Sequence, residues 1–215
     1  MSIKLHVFPH SPRAFKVLAV AHQLGLDYEL KFCDLLKGGA KTPEFTALNP
    51  NQKMPVIEDA GLKLWESNAI CCYLAAQKPE GGLVPEDMNA HALMLQWMFW
   101  ESTTWDPACA ILAFENAIKP LLGIGAPDPA EVEKGETKVR AAAAILDAHL
   151  ANRAYMLGDR LSLADFSLGA DLIIEDMARL PLAPFANIRR WRATLAQLPG
   201  WKAALAMRPD IAAAA

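Results

Sequence analysis

The stretch KMPVIEDAGLKLWESNAI, residues 53–70, decides how the first third of the chain folds. A short apolar run follows Met54 and opens with Pro55, which has no N–H to give to a ladder. The turn residues Glu58-Asp59-Ala60-Gly61 reverse it, and residues 62–65 return as a second strand. Glu66-Ser67 then sets an acid and a hydroxyl at the mouth of a helix over residues 68–77, with Ser67 expected to cap it. Three uses fit this pattern: a plain hairpin, an anion site at a helix N-terminus, and an open edge that pairs with a peptide.

Working outward, residues 3–8 read as a strand, 12–24 as a helix and 27–32 as a strand. The loop 34–52 carries the turn signals Gly38-Gly39 and Asn49-Pro50. The order β-α-β, loop, β-β-α describes a small sheet with helices packed on it. PEGGLVPED then gathers proline and glycine, and strand patterns vanish beyond it. Residues 90–100, 131–150, 163–178 and 188–197 carry helical spacing, as in Val139, Ala143, Leu146 and Leu150. The expected organisation is an α/β domain over 1–78, a linker over 79–88 and an all-α domain over 89–215, ending in a frayed AAAA.

A formal net charge of -3 over 215 residues supplies no general attraction for nucleic acid. The longest apolar runs, such as CAILAF at 109–114, are too short to span a bilayer, so no membrane role is expected. MSIKLHVFPH has a lysine inside its apolar stretch and no small-residue cleavage site, which favours a cytoplasmic protein. Cys33, Cys71, Cys72 and Cys109 form no CxxC pair and no zinc spacing, so no metal is expected.

Four places carry possible chemistry. In HSPRAFKV, residues 10–17, Ser11 precedes a first-turn proline, so it is either a simple cap or a hydroxyl at the positive end of a helix. Met54-Pro55 is either an ordinary trans proline or a cis bond that turns the Met54 backbone outward. Glu66-Ser67 is either a cap beside a solvated acid or a pair suited to an α-amino acid head. IRRWR, residues 188–192, is either a solvated helix face or an anion site.

NPNQKMPVIEDAGLKLWESNAICCYLA, residues 49–75, resembles the glutathione-binding segment of the glutathione transferase family. GDRLSLADFSLGADL, residues 158–172, is similar to the second-domain capping motif of that family, with Ser162 and Asp165 in a capping box and Leu161 able to staple to Phe166. The resemblance implies a thioredoxin-like N-terminal domain, an all-helical C-terminal domain and a homodimer with Phe45 and the third helix among its contacts. HSPRAFKV is similar to serine-type enzymes of the phi and theta kind, whereas the Ser-Ser-Cys-Ser pattern of the zeta isomerases and the beta-type cysteine are absent.

The resemblance further implies that glutathione is the co-substrate and that Ser11 donates a hydrogen bond to its sulfur. Met54, before a cis Pro55, would pair with the cysteinyl backbone, and Glu66 and Ser67 would hold the γ-glutamyl end. Lys41 and Lys53 would sit near the glycine carboxylate, although Ala40 and Gln52 replace the histidine and glycine usual in phi sequences. An apolar electrophile is expected against His10, Trp105 and Cys109. Conjugation to, or reduction of, apolar electrophiles is the activity implied. Disulfide reduction or dehalogenation, and a non-catalytic carrier on the same scaffold, are the alternatives.

Overall fold

The structure, a computed structural model, describes residues 3–208. By its internal packing the chain divides into two units, one built from residues 3–81 with 197–208 and the other from 82–196. The expected terminal AAAA lies outside the described residues.

In the first unit, alternation in β1 (Ile3–Val7) sends Ile3, Leu5 and Val7 inward while Lys4 and His6 stay half-exposed. The sheet runs β2 (Tyr28–Phe32), β1, β3 (Val56–Asp59), β4 (Leu62–Trp65), with β1 parallel to β2 and the other pairs antiparallel. Ala60 and Gly61, both at positive φ, make the tight β3–β4 turn. Helix α1 (Pro12–Gln23) and α3 (Ser67–Gln77) pack together, with Phe15, Leu18, Ile70 and Leu74 fully buried. The short α2 (Pro43–Thr46) lies inside the expected loop; the Thr42 hydroxyl accepts from the Phe45 N–H at 3.2 Å.

The helical domain was expected to reach residue 215, but α11 (Pro199–Ala206) packs on α1 within the first unit. Trp201 meets the Phe15 ring edge-on with centroids 4.7 Å apart. Gly200 permits this approach, because a Cβ there would lie 2.5 Å from the Ala19 carbonyl oxygen and the Gln23 nitrogen. The Gln23 side chain accepts the Gly200 N–H at 3.1 Å.

In the second unit, α4 (Met88–Trp100), α5 (Asp106–Ala113) and α6 (Lys119–Leu122) follow one another through two π-helical segments, Glu101–Trp105 and Phe114–Ile118. Pro107 and Pro120 stand second in the α-segments that follow. Each lacks the N–H that the carbonyl four residues earlier would take, and the helix widens just before it. The Asp106-Pro107 step is thus met by a π-helical turn.

Helix α7 (Pro129–Leu150), capped by Asp128, buries Val139, Ala143, Leu146 and Leu150 as the spacing predicts. Asp147 accepts three bonds from Asn187 and Ile188, fixing the start of α10 (Ala186–Leu195). Arg190 donates to the Leu150 and Arg153 carbonyls at the end of α7, and Arg192 pairs with Glu175. Two arginines of IRRWR are therefore structural clips, which weighs against the anion-site reading. At α8 (Leu163–Gly169), Asp165 reaches back to the Ser162 N–H at 2.9 Å, the capping box expected there. Among the described residues no helix is long and apolar enough to cross a membrane.

Candidate functional site

Sheet register alone gathers the signals of the first unit. His6 pairs with Val56 and Val56 pairs with Trp65, so the end of β1, the start of β3 and the end of β4 lie side by side. Ser11 follows β1, Met54-Pro55 precedes β3, and Glu66-Ser67 follows β4. All three therefore stand at one end of the sheet, where α1 and α3 begin.

Ser11 occupies the N-cap position of α1 with extended backbone, and Pro12 starts the helix. Its hydroxyl makes no capping bond to the helix, so the simple-cap reading fails. A half-buried hydroxyl at the positive end of a twelve-residue helix is suited to donate to an anion. The Met54-Pro55 peptide is cis, as the resemblance implies. Met54 and Pro55 are buried, and the ladders take in β3 only from Val56, so Met54 stands outside them.

The cap of α3 differs from expectation by one residue. Glu66 is the N-cap and Ser67 is the first helical residue, buried, while the Glu66 side chain is exposed and makes no capping bond. Glu66 holds φ 74°, a left-handed backbone rare for a residue with a side chain. Strain of this kind, of order 1–3 kcal/mol, persists where surrounding structure fixes it and clusters at binding sites. Sequence reasoning missed a tie between the two helix starts: Lys16 on α1, almost fully buried, donates to the Asn68 side chain at 3.2 Å. A lysine in the apolar run AFKVLAV was the available signal.

Lys41 and Lys53 are both exposed, on the segment between β2 and β3. His10 is half-buried, its ring tilted against Phe8 with centroids 5.2 Å apart. Phe45 is buried within its own unit, edge-on to His6.

Trp105 and Cys109 do not form a pocket wall. Both are fully buried, and the Trp105 indole N–H donates to the Leu168 carbonyl at 3.1 Å inside the helical unit. Burial and the carboxylates Asp171, Asp106 and Glu101 push the Cys109 thiol well above its usual range, which makes it unreactive. Those three carboxylates are themselves buried, with oxygens within 4.8 Å of one another, and Glu101 accepts from the Ser102 and Ser167 hydroxyls.

Comparison with known proteins gives a consistent picture. The family profile "Glutathione S-transferase, N-terminal domain" matches residues 1–76, and "Glutathione S-transferase, C-terminal domain" matches residues 92–199. Glutathione S-transferase 3 of Zea mays is 38% identical over 165 residues, which cover 76% of this chain and 73% of that protein. The solved structure of glutathione S-transferase III in apo form superposes with a TM-score of 0.87 at 31% identity, covering 98% of each chain. A glutathione transferase family member from Pseudomonas fluorescens, solved with two glutathione bound, gives a TM-score of 0.86 at 25% identity and covers 95% of this chain and 92% of that one.

Proposed function

Because the chain belongs to the glutathione S-transferase family, we propose that glutathione lies across the end of the sheet in the first unit, with its sulfur at Ser11. The protein is a glutathione transferase, an enzyme that takes glutathione as co-substrate. The observation that carries the site reading is the uncapped Ser11 hydroxyl, brought by sheet register to the same end as Met54 and Glu66.

In this reading Met54 pairs with the cysteinyl backbone through its main chain. Glu66 takes the γ-glutamyl ammonium, and the α3 N-terminus with Ser67 takes the neighbouring carboxylate. Lys41 and Lys53 serve the glycine carboxylate from the exposed rim. A free thiol with a pKa near roughly 8.5 is mostly protonated at neutral pH, and only the thiolate attacks. Lowering that pKa by about two units needs roughly 2.7 kcal/mol of thiolate stabilisation. A hydroxyl hydrogen bond to a charged sulfur, about 1.5–3 kcal/mol, supplies it with help from the helix end. Ser11 activates the thiol and is not itself the nucleophile.

The second substrate is an apolar electrophile. In this reading it is received beside Ser11 at the half-buried His10, whose ring lies against Phe8. We place the enzyme in the cytoplasm as a homodimer. Exposed apolar side chains at Leu62 and Trp65 on edge strand β4, and at Met88 and Phe99 on one face of α4, support that assembly. Ser11→Ala tests the mechanism. It should leave glutathione affinity within about twofold, raise the bound thiol's pKa, and lower turnover about 10- to 100-fold near pH 6.5, with partial recovery at pH 9. An unchanged thiol titration removes Ser11 from the chemistry.

A further inference from the structure

We propose that Met207 is a modification site, oxidised to the sulfoxide by hydroperoxides with Tyr28 and His22 as its proton relay. Three elements of the first unit meet there: His22 lies in the last turn of α1, Tyr28 opens β2, and Met207 directly follows α11. Met207 Sδ lies 3.0 Å from His22 Nε2 and 3.4 Å from the Tyr28 hydroxyl, and that hydroxyl is 3.0 Å from Nε2. The His22 and Tyr28 rings meet edge-on with centroids 5.7 Å apart, which fixes the pair. All three residues are half-buried, so Met207 is neither sealed in the core like Met94, Met98 and Met156 nor fully in solvent like Met88. Packing alone suits a thioether, which asks for no hydrogen-bonding partner. An O–H and an imidazole nitrogen set against one sulfur are instead the groups that its oxidation uses.

In that step a sulfur lone pair attacks one peroxide oxygen, an S–O bond forms, and the O–O bond breaks with its electron pair on the departing oxygen. Sulfur is oxidised by two electrons and the peroxide is reduced by two. The transferred oxygen sheds a proton and the departing oxygen gains one, leaving a sulfoxide and an alcohol or water. Here the Tyr28 hydroxyl donates to the departing oxygen, while His22, with its ring proton on Nδ1, accepts at Nε2 from the transferred one. The 3.0 Å link between the two returns the proton to Tyr28. Burial supports both roles: it lowers His22, which keeps the ring neutral at pH 7, and raises Tyr28, which keeps its proton on. The product does not fit the place that the thioether held. Groups at 3.0 and 3.4 Å leave no room for an oxygen between them and the sulfur, so the polar sulfoxide moves outward and draws the end of α11 with it. Helix α11 carries the Gly200 and Trp201 packing on α1, so oxidation loosens the first unit.

Hydrogen peroxide is the probe, applied to the full chain at pH 7, with the sulfoxide at each methionine followed by peptide mass spectrometry. Met88, 82% exposed, is the internal standard for an unassisted surface thioether. Met207 should oxidise at least as fast as Met88 despite its half burial. Tyr28→Phe, which keeps the ring and removes the hydroxyl, should slow Met207 about fivefold and leave Met88 unchanged. Exposure alone predicts the reverse, since removing the hydroxyl uncovers the sulfur. Oxidised wild type should melt about 3–6 °C earlier, Met207→Leu treated alike should not shift, and a methionine sulfoxide reductase should restore the wild-type value. A wild-type Met207 slower than Met88, a Tyr28→Phe rate within twofold of wild type, or a melting temperature that oxidation leaves unmoved overturns the proposal. Should Tyr28→Phe not fold, the wild-type rate ratio and the reversible shift decide it in the same way.

Discussion

Replacing Asp165 by alanine removes the only carboxylate in a buried set of four donors. Oδ1 accepts the Met156 N–H at 2.8 Å and the Trp191 indole N–H at 2.9 Å; Oδ2 accepts the Ser162 N–H at 2.9 Å and the Ser162 hydroxyl at 3.1 Å. Met156, Trp191 and Ser162 are all essentially buried. The hydroxyl can rotate to another acceptor, but the three N–H groups cannot, and each orphaned buried donor costs about 1–3 kcal/mol. Asp165→Ala should therefore destabilise by roughly 3–5 kcal/mol. With a urea m-value of about 2 kcal/mol/M, the midpoint at pH 7 should fall by roughly 2 M with m unchanged. A loss below about 1 kcal/mol would refute the role given to these bonds.

The same carboxyl gives a pH signature. Burial pushes Asp165 up to about 6, against the pull of its four donors. The folded state then holds a proton between roughly pH 4 and 6 that the unfolded chain, titrating near the usual aspartate value of about 3.9, has released. Stability from this group is greatest below that window and falls as pH rises through it, by an amount on the order of 3 kcal/mol. Asp165→Asn should lack this fall. Parallel wild-type and Asp165→Asn stabilities across pH 4–6 would sink the argument; carboxylates that slope the other way, such as Glu58, cancel in the difference.

Gly200→Ala should lower the melting temperature by roughly 5–10 °C, because the added methyl meets Ala19 and Gln23 backbone, which cannot step aside as a side chain would; a thermal scan within 1–2 °C of wild type would contradict the packing of α11 on α1. Glu115 is held below the usual carboxylate range by the Lys119 ammonium and by the Asp128 N–H. Its stabilisation is present above the unfolded value and disappears as pH falls through the folded one. Glu115→Gln should accordingly have a lower urea midpoint than wild type at pH 7 and the same midpoint near pH 3, and a gap that persists at pH 3 would count against it.

Legibility in the sequence followed the range of the interactions. Strand alternation and turn residues are local, so the β3–β4 hairpin, α1, α3 and the Ser162–Asp165 box could be read directly. Helix α2 is four residues, too short to show a period, although Thr42-Pro43-Glu44 carried its start signal. Trp105 and Cys109 were misread for a geometric reason. The helix from Met88 is apolar on every side, and each π-helical turn shifts the phase of the faces, so spacing cannot say which ring points outward.

The return of α11 to the first unit bears on how the molecule is made. Residues 82–196 form a continuous stretch and hold every element of their own unit, whereas the opening 81 residues lack Gly200 and Trp201 until that intervening stretch has also been synthesised. At roughly 5–20 residues per second, that is a delay on the order of ten seconds. The half that is synthesised first is the half that is completed last, and a chain cut anywhere before α11 carries an α1 whose Phe15 has lost its aromatic cover.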